Sequence, residues 1–289
     1  MRHIDKSPKE EEGRNLTYSY ITTHCLVQGP GQPACYQNVS YNDFCSKGYS
    51  SKMISLIKTV QGRFCCYCMR DMYENSGVVT LEHVIPQNAT DADWNKYRAL
   101  GIPAFDNNVL IRDKDFRSPD KQQMPPYPHT VSYDNFLNSC DGRFPDKVGS
   151  SQCCNNRRGN DYAIPVPYYD WADNCVDYND DGSARAILGT GVESDVEIFL
   201  SSMRLRCKNL QHVRRMWYLM RNVDRQELIN CLHNPQRRHK LLSDTLFKDS
   251  TKTNIDADLL REYQREDYWR TFLSYYWFKG YYLKKYPIV

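Results

Sequence analysis

No stretch of this 289-residue chain approaches 18 uninterrupted apolar residues, so the sequence gives no expectation of a membrane-spanning helix. Its most aromatic tract, Tyr268 to Tyr286, is broken by Arg270, Lys279, Lys284 and Lys285. The opening Met1-Arg2-His3-Ile4-Asp5-Lys6 runs into Glu10-Glu11-Glu12 without the apolar run of a signal-peptide core. Internal repeats and low-complexity tracts are lacking, which excludes a repeat architecture. No Gly-x-x-x-x-Gly-Lys-[Ser/Thr] loop occurs, which excludes a P-loop nucleotidase. The expectation is a cytoplasmic chain with no membrane partner.

Cysteine, by contrast, is plentiful, with twelve residues. In a reducing compartment such thiols are more readily metal ligands than disulfides. The hydrophobic share of 40% and charged share of 25% are ordinary for a globular chain long enough to bury a full core. The net charge of +3 hides an asymmetry: residues 200–289 carry 18 Lys or Arg against 9 Asp or Glu, the rest 20 against 26. A basic final third suggests a phosphate-rich or acidic partner, and equally a solvated helix face.

Along the chain, residues 1–50 read as polar and irregular. Met53, Ile54, Ile57 and Val60 recur at helical spacing over 50–60. Gly77 to Leu81 reads as a short strand, because Val78, Val79, Thr80 and Leu81 favour extended backbone. From 87 to 132 prolines and Asn107-Asn108 give a loop-like stretch. Val196, Phe199, Leu200, Met203, Cys207, Leu210, Val213, Trp217 and Met220 form an apolar stripe that predicts one long helix or two across 192–234. A further helix is expected over 256–279, ending near Gly280.

The chemistry concentrates in three places. Cys65-Cys66-Tyr67-Cys68 is a knuckle whose two-residue spacing lets the thiolates of Cys65 and Cys68 face one ion, and Cys140 with Cys154 would complete a tetrahedral zinc site. Cys66 and Cys153, next door, are alternatives. Glu82-His83 follows the knuckle: an oxygen ligand suits Mg²⁺ or Mn²⁺, and a neutral imidazole can take a proton from water attacking a phosphodiester. Asn155, on a short helix after Cys154, would face the strand carrying Glu82 and complete the catalytic metal site. Arg157 and Arg158 are candidate phosphate contacts.

Cys-x-x-Cys, Glu-His-x-x-Pro, Asp-Asn-Phe-Leu-x-Ser-Cys and Cys-Asn-x-x-Arg-Gly, in that order, resemble an HNH nuclease with the ββα-metal fold. Met1-Arg2-x-Ile4-x-Lys6, Tyr41-Asn42-Asp43-Phe44 and Gln61-Gly62 make the resemblance closer to the PtuB-like HNH endonucleases of Septu and retron-associated anti-phage defence systems. It covers about residues 1–165. It implies an α+β fold with a zinc-stabilised ββα-metal HNH core embedded in helices; beyond it, composition and periodicity predict a connector over 166–192 and a basic, mostly α-helical region over 193–289.

The resemblance also implies roles. His83 would be the general base, Glu82 would hold or organise the metal, Asn135 would position His83 or its loop, and Asn155 would ligate the catalytic Mg²⁺ or Mn²⁺. Cys65, Cys68, Cys140 and Cys154 would hold structural Zn²⁺. The chain departs from the pattern in an inserted loop from Gly142 to Ser151 between its last two zinc cysteines, and in Arg158 where Lys is usual. The implied activity is metal-dependent endonucleolytic cleavage of DNA alongside an ABC/SMC-like ATPase subunit, which would have to supply any ATP dependence. Cleavage of transfer or phage RNA by the same site, and a zinc-stapled interaction module without catalysis, are the alternatives.

Overall fold

The computed structural model describes residues 1–27, 29–31, 35–73, 79–116, 124–145, 152–246 and 254–287. The first fifty residues are more ordered than their polarity suggests. Helix α1 (Glu10–Tyr20) widens into one looser turn over Ile21–Cys25. The chain then makes a short antiparallel pair, β1 (Leu26–Val27) and β2 (Cys35–Tyr36), followed by α2 (Tyr41–Ser46) and α3 (Tyr49–Gln61). Ser40 caps α2 by accepting the Asp43 amide. Helix α1 escapes a periodicity reading because its buried face is Gly13, Thr17 and Tyr20. Gly13 sits there because a Cβ would lie 2.2 Å from the Tyr133 ring.

The centre is a strand pair. Strand β3 (Val79–His83) extends two residues beyond the expected end and carries both Glu82 and His83; residues 77 and 78 of the expected strand lie outside the described residues. Between β3 and its partner the chain forms α4 (Asp91–Ala99), capped by Thr90, then β4 (Leu110–Ile111), α5 (Asp113–Phe116) and β5 (Tyr127–Pro128). The described residues of the 87–132 stretch therefore form an ordered insertion, with β4 and β5 paired in parallel.

Strand β6 (Phe136–Cys140) runs antiparallel to β3, setting Glu82 opposite Leu137 and His83 opposite Phe136. Helix α6 (Cys154–Arg158) follows and packs on β6. Both faces of this pair are covered, which explains the unbroken burial of β6. Leu81 and Phe136 join the cluster of α1, α2 and α3, whereas Leu137 and Cys140 join the cluster that runs from the knuckle to the last helices.

The expected connector holds a hairpin, β7 (Val176–Tyr178) and β8 (Ala184–Ala186), turned at Gly182 with φ +82°. A Cβ at Gly182 would meet the Gln211 carbonyl at 2.0 Å, so the turn packs directly on the next helices. The expected long helix is three: α7 (Glu193–Ser202), α8 (Lys208–Leu219) and α9 (Arg225–Asn230). The first break contains Arg204 in the left-handed region at φ +50°, a conformation no glycine announces. Four more follow: α10 (Pro235–Leu246), α11 (Asn254–Tyr263), α12 (Glu266–Leu273) and α13 (Trp277–Lys285). Gly280 lies inside α13 instead of ending a helix. Among the described residues no helix is long and apolar enough to cross a membrane.

Part of the positive charge of this third is used internally. Arg214 and Arg238 are buried and donate to the carbonyls of Leu205 and of Cys231 and Leu232. Lys208, Arg237 and Arg270 pair with Asp258, Glu227 and Glu266. Exposed pairs of this kind add little stability, but they reduce the field available to an external polyanion.

Candidate metal centre and adjoining cleft

Four loops and element ends deliver the thiols of Cys65, Cys68, Cys140 and Cys154 to one point. The knuckle is closed by the Cys65 amide donating to the Arg70 carbonyl at 2.8 Å, with Met69 turned to φ +64°. Cys140 ends β6, and Cys154 opens α6 with φ +57°. The four sulfurs all lie within 4.8 Å of one another and all are buried. Three of the separations are 3.9 Å (Cys65–Cys154), 3.6 Å (Cys68–Cys140) and 3.9 Å (Cys140–Cys154).

A tetrahedral zinc with Zn–S of about 2.3 Å sets its sulfurs roughly 3.8 Å apart. The cluster therefore fits a metal such as zinc, and a buried set of weak thiol hydrogen bonds would not by itself hold that geometry. Cys66 and Cys153 are not in the mutual set. The Cys153 sulfur lies 3.4 Å from that of Cys154 and turns toward the Gly142 carbonyl.

Glu82 faces this side of the strand pair, fully buried. Arg158 Nη2 lies 2.7 Å from Glu82 Oε1, and the Tyr67 hydroxyl donates to the same oxygen at 3.0 Å. Burial pushes the Glu82 carboxyl up, against the pull of Arg158. Arg158 also donates to the Val84 carbonyl at 2.8 Å and to the His83 carbonyl, stitching α6 to the end of β3. Arg158 is thus not a surface phosphate contact: its guanidinium is consumed inside. Arg157 is exposed, and the side chain of Asn155 lies outside the described residues.

His83 faces the other side, as adjacent strand residues must. Its Nε2 lies 2.9 Å from the Thr130 carbonyl. A carbonyl only accepts, so Nε2 carries the proton and Nδ1 keeps its lone pair, 3.4 Å from the Gln87 amide nitrogen. Tyr41 and Phe136 meet the ring edge-on at 4.4 and 4.8 Å. Burial pushes the imidazole down to about 3, so it is neutral at physiological pH. Asn135 does not touch the ring. Its side chain accepts from the Ile85 amide and donates to the carbonyls of Ile85 and His129, pinning the segment after His83 to the insertion.

The structure therefore brings the four cysteines together but sets Glu82 and His83 on opposite faces. What the sequence reading missed is the insertion's share of the His83 side. A cleft of about 530 Å³ opens there, lined among others by Tyr41, Gln87, Arg112, Asp113, His129 and Thr130. His83 lies one layer beneath, with Tyr41, Gln87 and Thr130 in contact with both. The one available sequence signal was a histidine directly after the proline cluster ending at Pro128. Compared with known proteins, the chain matches no family model and no curated sequence.

Proposed function

We propose that this chain is an HNH-type endonuclease that hydrolyses phosphodiester bonds of DNA, acting as the nuclease of a bacterial anti-phage system beside an ABC/SMC-like ATPase. The observation that carries the reading is His83: a neutral imidazole locked through Nε2 to the Thr130 carbonyl, its Nδ1 lone pair facing the side-chain amide of Gln87, which lines the cleft. Neutrality is one requirement of a general base taking a proton from water attacking phosphorus; the other, a pKa near the working pH, requires that the burial holding the imidazole down be relieved when substrate and water enter. The strand–strand–helix order of β3, β6 and α6, stapled by a four-cysteine centre, supports the same class. Asn135 supports it as the residue fixing the segment that follows the base.

A divalent cation in this reaction class stabilises charge on the phosphate and leaving oxygen. Glu82 does not fit as its ligand here, being closed in by Arg158 and Tyr67. Arg112 and Lys114, at the cleft, are paired with the exposed Asp91. Those pairs are weak enough to open for a phosphate.

The test is cleavage of plasmid DNA and total RNA with Mg²⁺ or Mn²⁺, comparing wild type with His83→Ala, with and without the ATPase subunit and ATP. The expected result is DNA nicking lost in His83→Ala at unchanged zinc content. RNA cleavage alone would turn the reading to an RNase. Cleavage of neither would favour a zinc-stapled interaction module, the reading that the buried Glu82–Arg158 pair supports.

A further inference from the structure

We propose that Asp113 and His129 form a two-ligand divalent-cation site on the cleft wall, separate from the four-cysteine centre and from Glu82. The site is built by the parallel pairing of β4 and β5. Ile111 stands opposite Pro128, and the His129 amide donates to the Ile111 carbonyl at 2.9 Å. Asp113, two residues beyond Ile111, and His129, directly after Pro128, are thereby brought side by side, although 16 positions apart.

Their geometry is that of ligands converging on a third point. His129 is 5% exposed, and its Nδ1, fully buried, makes no well-aligned hydrogen bond. Yet Asp113 Oδ1 lies only 3.1 Å away. A hydrogen bond at that distance would need the oxygen near the ring plane along the N–H direction. Two donors bound at right angles to one cation, each at about 2.1–2.2 Å, stand roughly 3.0 Å apart.

The surroundings fix both groups. The Thr130 hydroxyl donates to Asp113 Oδ2, and its amide to Oδ1, orienting the carboxylate as ligand-supporting groups do. Trp94 meets the His129 ring edge-on at 5.2 Å, and Asn135 holds the His129 carbonyl. Both residues line the open cleft, through which Mg²⁺ or Mn²⁺ with its retained waters would reach them.

Thr130 joins this site to the base. Its side chain and amide hold Asp113 while its carbonyl holds His83 Nε2. A cation at Asp113–His129 would thus share a cleft with His83, which Glu82 on the opposite face does not. The existence of the site does not depend on the nuclease reading; only its purpose there does.

The experiment is electron paramagnetic resonance of Mn²⁺ titrated into the full-length, zinc-loaded protein. One Mn²⁺ beyond the zinc should bind with imidazole-nitrogen coupling. That coupling should vanish in His129→Gln, and affinity should fall at least about tenfold in Asp113→Asn. Glu82→Gln should leave both unchanged. Wild-type protein that binds no Mn²⁺ at millimolar concentration, or binds it without nitrogen coupling, overturns the proposal without any variant. So does coupling that survives His129→Gln, or affinity that depends on Glu82 and not on Asp113. Mn²⁺ bound as described but without cleavage of any nucleic acid leaves this site standing and fails the nuclease reading. Cleavage without nitrogen-coordinated Mn²⁺ does the reverse.

Discussion

Replacing Arg158 with methionine tests whether Glu82 is held as a structural ion. Opposite charges 2.7 Å apart attract by about 6 kcal/mol at an effective dielectric near 20, and dehydration of both groups offsets much of that. The substitution removes the attraction and keeps the dehydration, leaving a carboxylate with only Tyr67 as donor. It also strips donors from the carbonyls of His83 and Val84. The expected cost is about 3–5 kcal/mol at pH 7. Pairing it with Glu82→Leu removes the orphaned charge, so the double variant should recover most of the loss.

The pH dependence has a fixed sign. Burial raises the Glu82 carboxyl in the folded state, and without Arg158 nothing of that size opposes it. The folded Arg158→Met protein then holds a proton that the unfolded chain releases above about 4.5. Its deficit should be smallest near pH 5 and grow toward pH 8. Urea denaturation of zinc-loaded protein at both pH values, with circular dichroism as the signal, measures it. A double variant no more stable than Arg158→Met alone, or a deficit independent of pH, would refute a buried charge pair. Glu82 would then be open to another role.

Three further outcomes follow from the same geometry. Zinc held by four thiolates contributes about 10–16 kcal/mol in small peptides, as much as the whole stability of a domain at about 5–15. Cys68→Ser should therefore lose zinc and unfold the knuckle, while Cys66→Ser keeps full zinc content; elemental analysis decides, and a zinc-free, folded Cys68→Ser sinks the ligand set. Gly13→Ala gains about 1 kcal/mol of helix propensity but forces a Cβ into the fully buried Tyr133 ring, which costs about 1–3 kcal/mol, so thermal stability should fall. A stabilised Gly13→Ala protein would contradict that packing. For His83, burial sets the folded imidazole at about 3 against 6.5 unfolded, so stability is full above pH 6.5 and drains as pH falls below it. Between pH 7 and 5.5 that is about 1 kcal/mol, which His83→Gln should not show; equal slopes for the two proteins in urea would place the imidazole in water.

The parts of this fold that the sequence exposes are those encoded by local spacing. The Cys65–Cys68 interval constrains two sulfurs whatever the rest of the chain does, and the third and fourth ligands follow because the strand before Cys140 and the helix after Cys154 start and end on them. The β-branched run at 78–80 announces a strand for the same reason. Facing is encoded less locally. Glu82 and His83 read as one motif, yet strand geometry separates their side chains, and what each meets is set by residues 76 and 47 positions away, Arg158 and Thr130. Nothing near Glu82 in sequence reveals that an arginine neutralises it, just as nothing near Arg214 reveals that it ends on a buried carbonyl.

The same limit hid Asp113 and His129. Two-residue strands leave no periodicity, and their pairing through β4 and β5 is a tertiary event inside a stretch rich in proline and polar residues. The consequence reaches chemistry. A motif read linearly assigns the cation to Glu82 because it adjoins His83 in the chain. In the folded protein the groups that share the His83 face are those delivered by the insertion, and Thr130 is hydrogen-bonded to both. If a cation serves His83, the shorter physical connection is across Thr130, through one residue, and not through the strand to the buried Glu82.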